Sequence, residues 1–276
     1  MADAPPILVR HGAMRRLGVF APPPGYTLDR RVRVVVRTDR GLEVGDPLAV
    51  PSPEAVATLP DPSRGEIVRT LDAADLGKLA RIEALQTEHF AAAERLIADH
   101  RLLMKLVDVE HLFGGERAVF YFLADGRVDF RELVKAMARE FKTRIELRQV
   151  GPRDEARLKA DYGDCGRPVC CNTFLVVMPP VSMRMAKLQK STLDPNKISG
   201  RCGRLKCCLR YEQDVYEAHQ VELPAVGVRV VTRTGPGKVL AQELLARRVL
   251  VEFEDGRRLP VAMDDVLTEI KRTDEG

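Results

Sequence analysis

Hydrophobic and polar positions alternate along the first sixty residues as half-buried strands require. Val32, Val34 and Val36 alternate with arginines, and a polar turn at 38–41 leads into a second short apolar stretch. Prolines are frequent in this segment, as they are at strand edges and in connections. The pattern therefore predicts a small β-rich unit over residues 1–60.

A helical repeat of apolar residues then replaces the strand pattern. Its apolar positions are Leu76, Leu79, Ile82, Leu85, Phe90, Leu96 and Ile97. Asp72 or Asp75 stands where a helix N-cap is expected, because a short acidic side chain can accept a hydrogen bond from the first free backbone N–H groups. We predict a long helix within 61–101 that ends near His100.

Strand and helix signals alternate in the next part of the chain. Two strand-like runs, 106–109 and 119–123, face each other across a Gly-Gly turn and predict a hairpin. Asp129, with Glu132 three residues later, predicts a capping box for the helix that follows. Alternating residues at 143–150 predict a further strand.

The cysteine-containing region, residues 161–211, has weak periodicity and predicts a loop-rich platform with a short helix opening at Ser182. It belongs to a core that we place over 102–221, with a helix at 212–221 as its end. Short strands with Gly-rich turns predict an SH3-like β barrel and tail over 222–276. The predicted fold class is α+β: a compact mixed sheet-helix core with the loop-rich cysteine platform, flanked by the N-terminal β unit and the C-terminal barrel.

Composition narrows the functional classes. A chain of 276 residues with 45% apolar content can bury a sizeable core. The 44 basic and 40 acidic residues leave a net charge of only +4, so the whole chain is not a polycation that coats nucleic acid. The sequence shows neither a signal-peptide pattern nor a run of about 18 apolar residues. We expect a soluble, cytoplasmic protein without membrane insertion.

Two seven-residue segments, Cys-Gly-Arg-Pro-Val-Cys-Cys and Cys-Gly-Arg-Leu-Lys-Cys-Cys, match at five positions. Clustered cysteines in a reducing compartment favour metal ligation over disulfides. The glycine allows a tight turn, and the arginine lowers the pKa of neighbouring thiols. The predicted ligands are Cys165, Cys170, Cys171, Cys202, Cys207 and Cys208.

Thiolates suit both zinc and iron-sulfur clusters, but the adjacent cysteine pair favours a cluster. A single zinc ion could bind both adjacent cysteines only if the backbone formed a strained turn. A cluster presents several separate irons and can bind the two thiolates more easily. A cubane cluster takes four thiolates, so six cysteines exceed the need of one cluster and fall short of two. We expect one or two 4Fe-4S clusters, with zinc as the alternative. The remaining interpretation is that one cysteine of each adjacent pair is simply buried, as free cysteines often are.

Eight basic residues lie between positions 182 and 210, against Asp194 alone, a local charge of about +7. This basic stretch could bind RNA, balance an anionic cluster or meet an acidic partner. The candidate partner- or RNA-binding residues are Arg167, Arg184, Lys187, Lys197, Arg201, Arg204, Lys206 and Arg210. The sequence offers no nucleophile-base arrangement, so we predict that the protein is not an enzyme. A zinc-binding nucleic-acid-binding module is the alternative function.

The segments 124–134, 144–151 and 197–200, together with both cysteine motifs, resemble the RicT family, also called YaaT, with its polymerase-suppressor-type C-terminal domain. The resemblance implies a non-catalytic subunit that joins two small helical partners, RicA and RicF. It also implies 4Fe-4S clusters on the six cysteines and a role in modulating RNase Y during mRNA processing and decay.

Overall fold

The computed structural model describes residues 4–159 and 162–270. The chain forms two compact units. Unit one comprises Met1–Met178 and Arg201–Arg204, and unit two comprises Pro179–Gly200 and Leu205–Gly276. The second cysteine motif therefore contributes residues to both units.

Unit one begins with a closed five-stranded barrel. Its strands are β1 (Ile7–His11), β2 (Arg16–Ala21), β3 (Val34–Thr38), β4 (Gly41–Ala49) and β5 (Ser63–Thr70), with the short helix α1 (Pro53–Ala57) before β5. Neighbouring strands follow the order β1-β2-β5-β3-β4, and β4 pairs with β1 to close the barrel. The buried core residues are Ile7, Val9, Phe20, Val34, Val36 and Ile67.

The barrel confirms a β-rich N-terminal unit and corrects two details of the prediction. Val34 and Val36 are buried as predicted, but Val32 is 37% exposed. It lies outside β3 because a turn, closed by the hydrogen bond from Val32 N to Asp29 O (3.3 Å), precedes the strand. In addition, β5 pairs with both β2 and β3, so the barrel continues to Thr70 and does not end at residue 60.

Helix α2 (Ala73–Asp99) is the long helix that the apolar repeat predicts. Asp72 is its N-cap and accepts a hydrogen bond from Asp75 N (2.9 Å), while the Asp75 carboxylate accepts one from Asp72 N (3.1 Å). This reciprocal pair satisfies two backbone donors at once. The helix ends at His100 as predicted. No helix in the described part of the chain combines the length and apolar content that crossing a membrane requires.

A three-stranded sheet packs with α2 and a further helix, α3 (Arg131–Phe141), to form the second core of unit one. The elements are β6 (Lys105–His111), β7 (Arg117–Leu123), α3 (Arg131–Phe141) and β8 (Arg144–Gln149), followed by α4 (Pro152–Leu158) and α5 (Cys170–Thr173). The predicted β6-β7 hairpin is confirmed, and β8 runs parallel to β7. The buried residues of this core are Ala93, Ile97, Leu106, Val109, Ala118, Phe120, Leu133 and Met137.

The predicted capping box at the start of α3 is wrong. Phe130 is the N-cap, and no side chain caps the helix there. The Asp129 carboxylate instead accepts a hydrogen bond from the Arg131 guanidinium (2.7 Å), and Glu132 pairs with Lys135 (2.8 Å). Asp129 also accepts a hydrogen bond from Arg131 N (3.2 Å), but the reciprocal pair between Asp129 and Glu132 that a capping box requires is not formed.

A buried ionic network joins the barrel to the sheet within unit one. Arg40 donates two hydrogen bonds to Glu110 on β6 (2.8 and 3.0 Å) and two to Glu43 on β4 (2.7 and 3.1 Å). His11 Nδ1 lies 3.0 Å from Glu43, and the Tyr121 hydroxyl donates to Glu110 at 2.7 Å. The side chains of Arg40, Glu43 and Glu110 are only 9%, 2% and 7% exposed. The pairing therefore takes place away from water.

Unit two contains three helices and the C-terminal sheet. Its elements are α6 (Met183–Leu188), α7 (Pro195–Ile198), α8 (Cys207–Glu222), β9 (Arg229–Thr232), β10 (Gly235–Glu243), β11 (Arg248–Phe253), β12 (Arg258–Ala262) and β13 (Val266–Ile270). The predicted helix opening at Ser182 is confirmed. The predicted helix at 212–221 begins earlier, at Cys207, because the backbone turns at Lys206, whose carbonyl accepts a hydrogen bond from Leu209 N (3.2 Å).

The C-terminal sheet has five antiparallel strands in the order β12-β11-β10-β9-β13. Its buried core includes Val230, Val239, Val249, Val251 and Val261. The mixed α+β class is confirmed. The SH3-like classification of this sheet stays a prediction, as does the loop-rich cysteine platform as a distinct feature of the fold.

Candidate cysteine centre

Both cysteine motifs fold into the same turn. Gly166 and Gly203, the second residues of the motifs, have φ values of 73° and 71°. Glycine adopts this left-handed conformation without the steric cost of a Cβ atom. One antiparallel bridge closes each turn, joining Tyr162 to Pro168 in the first and Ser199 to Leu205 in the second. The sequence repeat is therefore also a repeat of backbone conformation.

The last two cysteines of each motif occupy the first two positions of a helix, α5 or α8. The N-caps have nearly the same backbone angles: Val169 has φ −55° and ψ 137°, and Lys206 has φ −55° and ψ 125°. Successive side chains are about 100° apart around a helix, so the two adjacent thiols point in different directions.

The six thiols differ in their environments. Cys165 is exposed and Cys171 is buried, whereas the other four cysteines are partly exposed. Burial raises the pKa of the Cys171 thiol, nearby Arg157 opposes this effect, and the thiol of Cys202 raises the pKa further. Cys171 and Cys202 therefore lie near each other in unit one. A thiol with a raised pKa keeps its proton until a metal displaces it.

The thiol chemistry is compatible with a metal centre, and the six predicted ligands are divided between the two units. Unit one contains Cys165, Cys170, Cys171 and Cys202, and unit two contains Cys207 and Cys208. Four thiolates are the number that a cubane cluster takes. Among the described residues, however, no three cysteine, histidine or acidic side chains converge as metal ligands. Ligation by these cysteines therefore stays a prediction.

The predicted partner- or RNA-binding residues are distributed over both units. Unit one contains Arg167, Arg201 and Arg204, and unit two contains Arg184, Lys187, Lys197, Lys206 and Arg210. Six of these eight side chains are exposed, and Lys206 and Arg210 are partly exposed. Arg210 pairs with Asp214 at 2.8 Å, so part of its charge is neutralised within α8. Contact of these residues with RNA or with partners stays a prediction.

Two features were missed from the sequence. Gly163 and Gly200 stand two residues before the first cysteine of each motif and extend the repeat, a signal that was present in the sequence. His89 Nδ1 and His111 Nε2 lie 2.9 Å apart on α2 and β6. Burial, and then the neighbouring His89, lowers the pKa of His111 to about 4, so His111 is neutral at neutral pH. No local pattern marks this histidine pair, because its members are on different elements.

Two family profiles match the chain. The one described as "PSP1 C-terminal conserved region" covers residues 65–150, and "PSP1-like protein, third domain" covers residues 180–223. The stage 0 sporulation protein YaaT of Bacillus subtilis (strain 168) is 44% identical over 231 residues, which is 84% of each chain. The chain belongs to the YaaT family. This membership confirms the resemblance carried by the motifs.

The matched regions also locate the cysteine turns within the YaaT family architecture. The PSP1 region extends from β5 to the end of β8, and the third-domain region contains the second cysteine motif. The first motif, at 165–171, lies between the two matched regions. No solved structure matches the chain.

Proposed function

We propose that this chain is a non-catalytic iron-sulfur adaptor. It holds its cofactor on the cysteine turns and assembles partner proteins that modulate RNase Y-dependent mRNA processing and decay. The observation that carries the proposal is the repetition of one turn conformation with three thiols in each copy. Only Cys171 is buried, so the repeat is better suited to ligation than to core packing.

The cofactor part of the proposal depends on the donor chemistry. The candidate ligands are Cys165, Cys170, Cys171, Cys202, Cys207 and Cys208. Arg167 and Arg204 occupy the same position in the two turns, and their charges would balance the negative charge of a thiolate-bound cluster. The two adjacent cysteines at the start of each helix point in different directions, which favours a cluster over a single zinc ion. When bound, an iron-sulfur cluster supplies reversible electron transfer, with a potential set by its hydrogen bonds and exposure.

The adaptor part is supported by the surface of α8 and by the family. The helix that begins with Cys207 and Cys208 leaves Val215 and Val221 exposed, at 49% and 87%. Apolar surface thus lies on the same helix as two candidate ligands. The family resemblance gives RicA- and RicF-like small helical proteins as partners and RNase Y as the target. The name of the Bacillus relative, a stage 0 sporulation protein, supports a regulatory role.

Anaerobic purification with analysis of iron, sulfide and zinc tests the cofactor. The full chain is expected to contain iron and sulfide and to absorb broadly in the visible range. Two double variants, Cys170→Ser with Cys171→Ser and Cys207→Ser with Cys208→Ser, should each lose iron, because both turns have the same conformation. Far-UV circular dichroism is the control for folding.

Full iron and sulfide content in either double variant would contradict the ligand assignment for that turn. Stoichiometric zinc in a colourless wild-type protein would instead favour the zinc-binding nucleic-acid-binding module.

A further inference from the structure

Unit one contains a cavity of about 940 Å³ beside the first cysteine turn. Its wall comes from segments far apart in sequence: the β1-β2 hairpin, residues 59–64, β8, α4 and residues 171–176. Small-molecule sites typically measure about 300–1,000 Å³. The cavity is therefore large enough for a ligand of nucleotide size.

The wall of this cavity is strongly cationic. Its arginines are Arg10, Arg15, Arg16, Arg64, Arg148 and Arg157, and its acids are Asp39 and Asp61. Six positive and two negative charges give the lining a formal charge of +4. Within the described residues, Arg10 alone among the six has a carboxylate within ion-pair distance, Asp46 at 3.3 Å. The arginines are therefore not gathered by ion pairs with the protein itself.

Three buried polar atoms of lining residues also have no hydrogen-bond partner in the described structure: Arg10 Nε, Arg15 Nε and Asn172 Oδ1. Asn172 is only 7% exposed. Buried donors and acceptors are nearly always paired, because an unpaired one loses its hydrogen bonds to water without replacement. Burial, and then the charge of Arg10, lowers the pKa of Arg15, and the charge of Asp46 opposes these two effects only in part.

We propose that this cavity binds a phosphorylated small molecule of nucleotide size. Arginine forks match phosphate oxygens in geometry and charge, and a lining charge of +4 suits more than one phosphate group. The unpaired Asn172 Oδ1 is an acceptor and therefore requires a donor, such as a ligand hydroxyl or amine, which a fully ionised phosphate group lacks. Leu17, Leu59 and Leu175 add apolar surface for the rest of the ligand. The inference does not depend on which metal the cysteines bind.

Isothermal titration calorimetry of the full, anaerobically purified chain tests the site with two probes, ADP and inorganic pyrophosphate. ADP is expected to bind, and more tightly than pyrophosphate, because ADP adds ribose hydroxyls, an amine donor and a larger apolar part. Binding of both should weaken as salt increases. Equal affinity for the two probes would overturn a ligand of nucleotide size, and no ADP binding at millimolar concentration would overturn the site.

Substitutions inside and outside the cavity separate binding at this site from a general effect of basic charge. Arg15→Gln with Arg148→Gln should weaken ADP binding at least about tenfold, since hydrogen bonds to charged groups are the strong ones. Arg144→Gln, also on β8 but outside the cavity, is the matched control and should bind like the wild type. If the double variant does not fold, Arg64→Glu, an exposed position on β5, provides the same test.

Unchanged ADP affinity in a folded lining variant would overturn the proposal. Single-stranded RNA binding that the lining variants abolish and ADP does not displace would also overturn it, in favour of an RNA contact.

Discussion

The buried Arg40 network allows a quantitative test of what holds unit one together. In the variant Arg40→Met, a flexible apolar side chain replaces the guanidinium, and Glu43 and Glu110 lose four hydrogen bonds. Removing one partner of a buried ion pair costs about 3–5 kcal/mol, because the remaining charge stays out of water without its counter-charge. A typical domain is stable by about 5–15 kcal/mol, so the expected loss is a large fraction of the total.

Hydrogen exchange of the β3 and β4 amides in the full chain measures this loss locally. A cost of about 3–5 kcal/mol corresponds to exchange that is faster by about a hundredfold to a few thousandfold. The matched control is Arg37→Met on β3, where the guanidinium pairs with Glu66 at 3.0 Å and both side chains are more than half exposed. An exposed pair contributes about 0–1 kcal/mol, so the control should accelerate exchange at most about fivefold.

The pH dependence of the difference in exchange rate between wild type and Arg40→Met provides an independent check. Burial by itself would raise the pKa of Glu43, but hydrogen bonds from His11 and Arg40 lower it from 4.5 to about 2. The stabilisation is therefore complete above about pH 4.5 and is lost as the pH falls toward 2. The difference between wild type and Arg40→Met should narrow over this range. Exchange in Arg40→Met within fivefold of wild type at neutral pH would refute the reasoning.

Two further predictions concern the cysteine turns and their partners. Limited proteolysis should cut residues 162–211 faster after chelation. The helices α5, α6 and α7 are only four to six residues long, so bound metal would supply folding energy. Equal protection of this segment with and without chelator would contradict the prediction. Lys206→Glu with Arg210→Glu should weaken capture of RicA- and RicF-like partners while iron content stays unchanged, since acidic partner surfaces would be repelled. Arg229→Glu, on β9, is the control, and equal capture by holo and apo wild type would count against a cluster-dependent adaptor.

The sequence by itself determined the elements whose signals are local. The α2 capping pair works between Asp72 and Asp75, and the cysteine motifs repeat glycine and thiol positions within seven residues. Such patterns act through backbone conformation and short-range hydrogen bonds, so spacing alone reveals them. The same local reasoning failed at Asp129, because α3 begins one residue later than the capping box requires, with Phe130 as its N-cap, and the Asp129 carboxylate binds the guanidinium and backbone N–H of Arg131.

Only the tertiary structure decided which distant residues meet. Arg40 and Glu110 are 70 positions apart, and the arginines of the cavity come from the barrel, β8 and α4. In the sequence each of these arginines looks like an ordinary surface cation. The buried Nε atoms of Arg10 and Arg15 and the shared cavity arise because the barrel, β8 and α4 come together within unit one. Chain topology sets these contacts, and no periodicity or spacing within a single segment encodes them.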